Sequence, residues 1–126
     1  MFSRILLPCA AVMLASGAVG ASAHVRPPVI APAADSQVAI RTFGFRPDTL
    51  RVVAGSRVEW VNQDDIEHTV TSGAPGGRDG RFAGTLPRKD AKFGASFEKP
   101  GVYSYFCDRH QFMRGEVHVI PQESQQ

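Results

Sequence analysis

From Gln37 to Ile120 the chain never sustains an apolar period of 3.6 residues. Apolar and polar residues instead alternate in short runs, the pattern of strands with one face buried and one wet. Val38-Ala39-Ile40 and Phe43-Gly44-Phe45 are short apolar pieces, and Pro47-Asp48 marks a turn. Leu50 and Val52 alternate, Ala54-Gly55-Ser56 turns the chain, and Val58 and Trp60 alternate again, which reads as a hairpin with these four inside. Asn62-Gln63-Asp64-Asp65 is a polar turn. A strand over 66–71 then puts Ile66, His68 and Val70 on one face. Phe93, Ala95 and Phe97 share a face further on, and Tyr103, Tyr105 and Cys107 share another. In the last strand Val117 and Val119 point inward with Glu116 and His118 outward, until Pro121 ends it. Turn signals recur about every 8 to 12 residues, so the expected fold is all-β, an antiparallel Greek-key β-sandwich of roughly seven to eight strands. Residues 72–84 carry five glycines and read as a flexible, basic surface loop. No GK[ST] or GxGxxG order is present there and no helix follows, so a phosphate cradle is not expected.

The first residues give the chain an address. Arg4, an apolar run from Ile5 to about Val19, and Ala21-Ser22-Ala23 read as a secretory signal peptide cut after Ala23. The run is too short for a membrane span. Periplasmic export follows as the expectation. Cys9 falls within the discarded segment, and its context (Pro8 before it, the apolar run after it) does not suit a lipoprotein. Residues 24–36 hold Pro27, Pro28 and Pro32 and read as an extended arm, 37–121 as one domain, and 122–126 as a polar tail. The cut would make His24 the new N-terminus, where amine and ring together can chelate copper. Removing Arg4 lowers the net charge from +2 to +1. Nearly balanced charge argues against nucleic acid as a partner, and a monomer is expected.

An exported chain with a single remaining Cys has no internal disulfide to make, so the thiol is reactive, intermolecular or metal-bound. Cys107 stands in Cys107-x-x-His110-x-x-Met113, between two strand-like runs. Thiolate and thioether select soft ions, imidazole accepts copper readily, and two imidazoles, one thiolate and a weak axial Met define a blue-copper site. His68, inward-facing on a separate strand, is the candidate for the second imidazole. Singly, each residue has an ordinary role: a small buried Cys, a core Met, a satisfied core His, a loop His. Jointly, His68, Cys107, His110 and Met113 favour one copper ion.

Over residues 37 to 120 the chain resembles the cupredoxins, the small blue-copper proteins. FGFRPDTLRVVAGSRVEWVNQDDIEHTV looks like their first half, and PGVYSYFCDRHQFMRGEVHV like their ligand loop. The Cys-x-x-His-x-x-Met spacing followed by Arg114-Gly115 is similar to amicyanin, whereas plastocyanin and pseudoazurin usually place two more residues between His and Met. The resemblance implies His68, Cys107 and His110 as equatorial ligands, Met113 as the axial one, and an N–H from Thr69 to the Cys107 sulfur. It also implies that His110 is the electron's port, with Phe112 and Met113 in an apolar docking patch flanked by Arg109 and Arg114. A dehydrogenase and a cytochrome c are the partners it suggests. The chain departs from the amicyanin pattern at Arg109, commonly Pro, and at Thr69, often Asn.

The expected function is thus single-electron shuttling by an exported type 1 copper protein, not enzymatic catalysis. Cys107 and His110 alone resemble a nucleophile and its base, but no oxyanion or substrate machinery accompanies them. One domain without H-x-H pairs does not suit a multicopper oxidase. The competing readings are a copper carrier or resistance protein using the same ligands, and a zinc-loaded structural domain.

Overall fold

The computed structural model describes residues 35–123. The expected signal peptide, His24 and nearly all of the expected arm lie outside the described residues, as does the end of the tail. Among the described residues nine strands form two packed sheets: β1 (Ser36–Ile40), β2 (Phe45–Arg46), β3 (Thr49–Val53), β4 (Ser56–Asn62), β5 (His68–Ala74), β6 (Gly77–Leu86), β7 (Lys92–Phe97), β8 (Gly101–Phe106) and β9 (Arg114–Ile120). One sheet has the order β2-β1-β4-β7 and the other β3-β9-β8-β5-β6. The all-β sandwich agrees with the alternation of the sequence. The strand count exceeds the expectation because β2 is only two residues long and because residues 72–84 are largely strand.

Both sheets are mixed, not purely antiparallel: β1 lies parallel to β4 and β3 parallel to β9. The expected hairpin of Leu50 and Val52 with Val58 and Trp60 does not form. β3 and β4 belong to different sheets, and the turn between them carries the chain across the sandwich. It is tied to both layers, Ala54 N–H donating to Ile120 O at 2.8 Å and Gly55 N–H to Phe97 O at 2.7 Å. Gly55 has φ 90°, a value that favours glycine. The inward assignment itself holds, since Val58 and Trp60 are fully buried, Val52 nearly so, and Leu50 half-buried against the core.

The glycine-rich stretch is a β-hairpin, β5 paired antiparallel with β6 through a bulge between Thr71 and Gly73. Its glycines mark close approaches. A Cβ on Gly84 would lie 2.2 Å from the Phe93 ring, so the missing side chain is what lets that ring lie across β6. Phe93 in turn stacks on Trp60 at 5.7 Å, with Phe82 stacked on the same indole at 5.8 Å and Tyr105 edge-on at 5.3 Å. This aromatic cluster and the valines of β4, β5 and β9 fill the sandwich. Full burial of each such side chain contributes about 1.5–3 kcal/mol. Among the described residues no helix is long and apolar enough to cross a membrane.

Candidate metal centre

At one end of the sandwich β5 and β8 part. Their ladder pairs Ser72 with Tyr105 and Thr71 with Phe106 and stops there. The next residue, Cys107, is fully buried, and its sulfur accepts the Thr69 N–H at 3.4 Å. The Asp108 N–H donates to Thr69 Oγ1 at 2.8 Å, so the opened strands stay linked through a side chain and a sulfur. The loop from Cys107 to Met113 joins β8 to β9, whose pairing resumes at Phe106–Arg114. Its base is closed by Cys107 N–H to Met113 O at 3.1 Å, and its middle by Met113 N–H to His110 O at 2.8 Å. Cys107 and His110 therefore face one small volume from a tight connection that ends at the buried Met113, while His68 enters from the first residue of β5.

The donor atoms of His68, Cys107 and His110 all lie within 4.8 Å of one another. The Cys107 sulfur is 3.9 Å from His68 Nδ1 and 3.7 Å from His110 Nδ1. Bonds of about 2.0 Å to imidazole and about 2.3 Å to thiolate, diverging at about 120°, would separate nitrogen from sulfur by about 3.7 Å. These spacings fit one ion shared by three ligands better than direct hydrogen bonds. Cys107 is a free thiol, and His68 is fully buried. Met113 is 2% exposed at the end of the same loop. The soft sulfurs and imidazoles suit copper.

His68 is oriented from behind. Its Nε2 lies 2.9 Å from the Asp64 carboxylate, which fixes the ring with Nδ1 toward the sulfur. Asp64 also accepts the backbone N–H groups of Thr42 at 2.8 Å and Phe43 at 3.2 Å. Burial pushes its carboxyl upward, but these donors and His68 outweigh that and hold it below the usual carboxylate range. Asn62, fully buried, shapes the loop: its Nδ2 donates to Ile66 O at 2.7 Å and Leu86 O at 3.1 Å, and its Oδ1 accepts from Asp64 N–H at 3.0 Å. Phe43 sits edge-on to both imidazoles, 5.7 Å from His68 and 5.0 Å from His110.

The outer rim differs from the sequence expectation in three places. Ile66 is 40% exposed and precedes the strand, so only His68 and Val70 of that expected face are buried. Met113 is turned inward and offers no docking surface; Phe43 takes its place beside Phe112, which is 72% exposed. Arg109 is ion-paired with Glu67, and Arg114 Nε donates to Gln111 O at 3.3 Å. Asp64, Asn62 and Phe43 were not singled out by sequence reasoning. A carboxylate four residues before an inward histidine was the available signal for Asp64.

Two sheets, a sulfur between two imidazoles and a methionine on the β8–β9 connection define a protein built around one soft-metal centre. The chain matches copper binding proteins of the plastocyanin/azurin family over residues 33–120, and it belongs to that family. Amicyanin-alpha of Methylorubrum extorquens is 34% identical over 89 residues, covering 71% of this chain and 75% of that protein. Amicyanin of Paracoccus denitrificans is 31% identical over 118 residues, covering 87% and 90%. Among solved structures, a purple cupredoxin from Nitrosopumilus maritimus superposes with TM-score 0.63 at 27% identity, covering 68% of this chain and all of that one. The crystal structure of amicyanin from Paracoccus versutus gives 0.58 at 32% identity, covering 71% and 85%.

Proposed function

We propose that the protein is an exported type 1 copper protein that carries single electrons, with His68, Cys107, His110 and Met113 as the residues that would hold the copper. The convergence of three donor atoms within 4.8 Å, in a chain of a copper-binding family, carries this reading. Copper held there would supply reversible one-electron chemistry with little change in geometry. The chain's part is to keep the ligands rigid. Cys107 is fixed by the Thr69 N–H and by the loop closure to Met113, and His68 by Asp64. Thr69 N–H donation to the sulfur withdraws charge from it and so bears on the reduction potential.

His110, half-buried beneath Phe43 and Phe112, is the proposed port for the electron. The exposed rings of Phe43 and Phe112, 6.5 Å apart beside His110, support docking by a flat, mostly apolar partner surface. Arg109 is already neutralised by Glu67, so Arg114 carries more of any preference for an acidic partner. The resemblance to amicyanin suggests a dehydrogenase as donor and a cytochrome c as acceptor. The role is electron carriage, not catalysis. The address is the periplasm, with cleavage after Ala23, which N-terminal sequencing of the exported protein would test.

The deciding experiment is visible absorption and EPR of the mature protein after addition of Cu(II), beside Cys107→Ser. The expected result is an intense blue band with narrow copper hyperfine splitting, both lost in the mutant. A pale, ordinary Cu(II) spectrum that survives the mutation would remove Cys107 from the ligand set and end this reading.

A further inference from the structure

The turn joining β1 to β2 is built against its sequence. Arg41 N–H donates to Gly44 O at 3.0 Å and Gly44 N–H to Arg41 O at 3.1 Å, closing a two-residue hairpin turn. Its central residues, Thr42 and Phe43, have φ of 51° and 54°. Positive φ at both central positions is the mark of a type I′ turn, which selects Asn-Gly because side chains are strained there. A β-branched residue and an aromatic are poor choices. Residues held in such conformations persist only where their surroundings over-determine them, and they cluster at functional sites.

What over-determines this turn is Asp64. One carboxylate accepts the N–H groups of both strained residues through its two oxygens, and Oδ2 also meets His68 Nε2. The turn in exchange delivers the Phe43 ring, 46% exposed, edge-on to His68 and His110 on their outer side. We propose that Asp64 is a positioning residue that locks two things at once: the His68 ring with Nδ1 toward Cys107, and Phe43 as an aromatic cap over both imidazoles. The cap limits water at the histidines and sets the surface a redox partner meets. The inference rests on the copper reading above only for its redox arm.

The test uses the full mature chain carrying Asp64→Ala, Asp64→Asn or Phe43→Ala, with folding judged by amide dispersion. Long-range 1H–15N spectra of the metal-free protein report the His68 tautomer, and ring-current shifts of the His110 ring protons report the cap. Wild type should show a single Nε2–H tautomer for His68, slow to exchange, and displaced His110 signals. Asp64→Ala should lose both. Phe43→Ala should lose only the ring-current displacement. Asp64→Asn, which keeps the shape but only one acceptor oxygen, should lose at least one of the two and serves if the alanine variant does not fold. With copper bound, Asp64→Asn removes a negative charge beside His68 and should raise the reduction potential. A variant at Asp64 that keeps both the tautomer and the His110 shifts, or an unmoved potential in a blue Asp64→Asn protein, overturns the proposal. A wild type that gives no blue spectrum would instead end the copper reading, and the metal-free spectra would still decide the role of Asp64.

Discussion

Replacing Gly115 by Ala should damage the domain through a single contact. Gly115 lies directly opposite Tyr105 in the β8–β9 register. A Cβ there would lie 2.4 Å from both Cζ and Oη of Tyr105 and 2.8 Å from Cε2. Carbon atoms in contact sit about 3.5–4.0 Å apart, so ring or backbone must give by roughly 1 Å. The ring has nowhere to go: it is 1% exposed and packed edge-on against Phe45 at 4.7 Å and Trp60 at 5.3 Å. The start of β9 must therefore move, two residues after Met113. Overpacking of this kind costs about 1–3 kcal/mol, and the stiffer unfolded chain offsets less than about 1 kcal/mol. A domain of this size loses about 4–8 °C of Tm per kcal/mol, so thermal melts of the metal-free protein resolve the effect. In a Tyr105→Leu background, which has no ring to strike, Gly115→Ala should be nearly neutral. Gly76→Ala is the control, because its φ is +80° with nothing within 4 Å of a built Cβ, and it should cost about 1 kcal/mol from backbone strain alone in either background. A Gly115→Ala protein that melts with the wild type, or that is equally destabilised without the Tyr105 ring, would refute the reasoning.

Asn62→Ala should cost about 3 kcal/mol in urea unfolding, because it strands the buried Leu86 carbonyl, the part-buried Ile66 carbonyl and the Asp64 N–H at once; a loss below about 1 kcal/mol would mean water replaces the side chain. Asp64 has a carboxyl held below its unfolded value of about 3.9, so it adds stability that is present above about pH 4 and is lost as pH falls through the lower folded value. Asp64→Asn should flatten that acid limb of the stability profile, and an unchanged limb would exclude Asp64 as its source. Burial pushes the Tyr105 phenol from 10.0 to about 12. As pH rises past about 10 the unfolded chain releases a proton that the folded one keeps, so stability should fall until about pH 12, and Tyr105→Phe should remove that part of the decline. Ultraviolet titration of the folded protein, differenced against Tyr105→Phe, would register the late phenol directly; a Tyr105 phenol ionising near 10 would contradict it.

The residue types alone determined what the protein can bind and broadly how it folds. Alternation without a helical period admits little but a β-sandwich, because a strand with one apolar face must bury it against another layer. A soft-metal centre needs a thiolate, imidazoles and a thioether, and three of those four stand in one seven-residue loop where spacing exposes them. The partners of each strand were decided by the tertiary structure. Leu50-x-Val52 and Val58-x-Trp60 alternate identically whether they pair with each other or, as here, with β9 in one sheet and with β1 and β7 in the other. Glycines at 73, 76, 77, 80 and 84 suggested a loop, yet their lack of a side chain serves a bulged hairpin and the close approach of Phe93, which only packing reveals. Met113 belongs to the core and Phe43 to the rim because the turn and loop conformations aim them there, contrary to what neighbouring residues in the chain suggest. Asp64 is the clearest case. In the sequence it is one carboxylate in a polar turn, and its three donors come from segments 21 to 22 residues upstream and four residues downstream. Hydrogen bonding has no period along the chain, so a residue whose role consists of such contacts acquires it only when the fold brings the donors together.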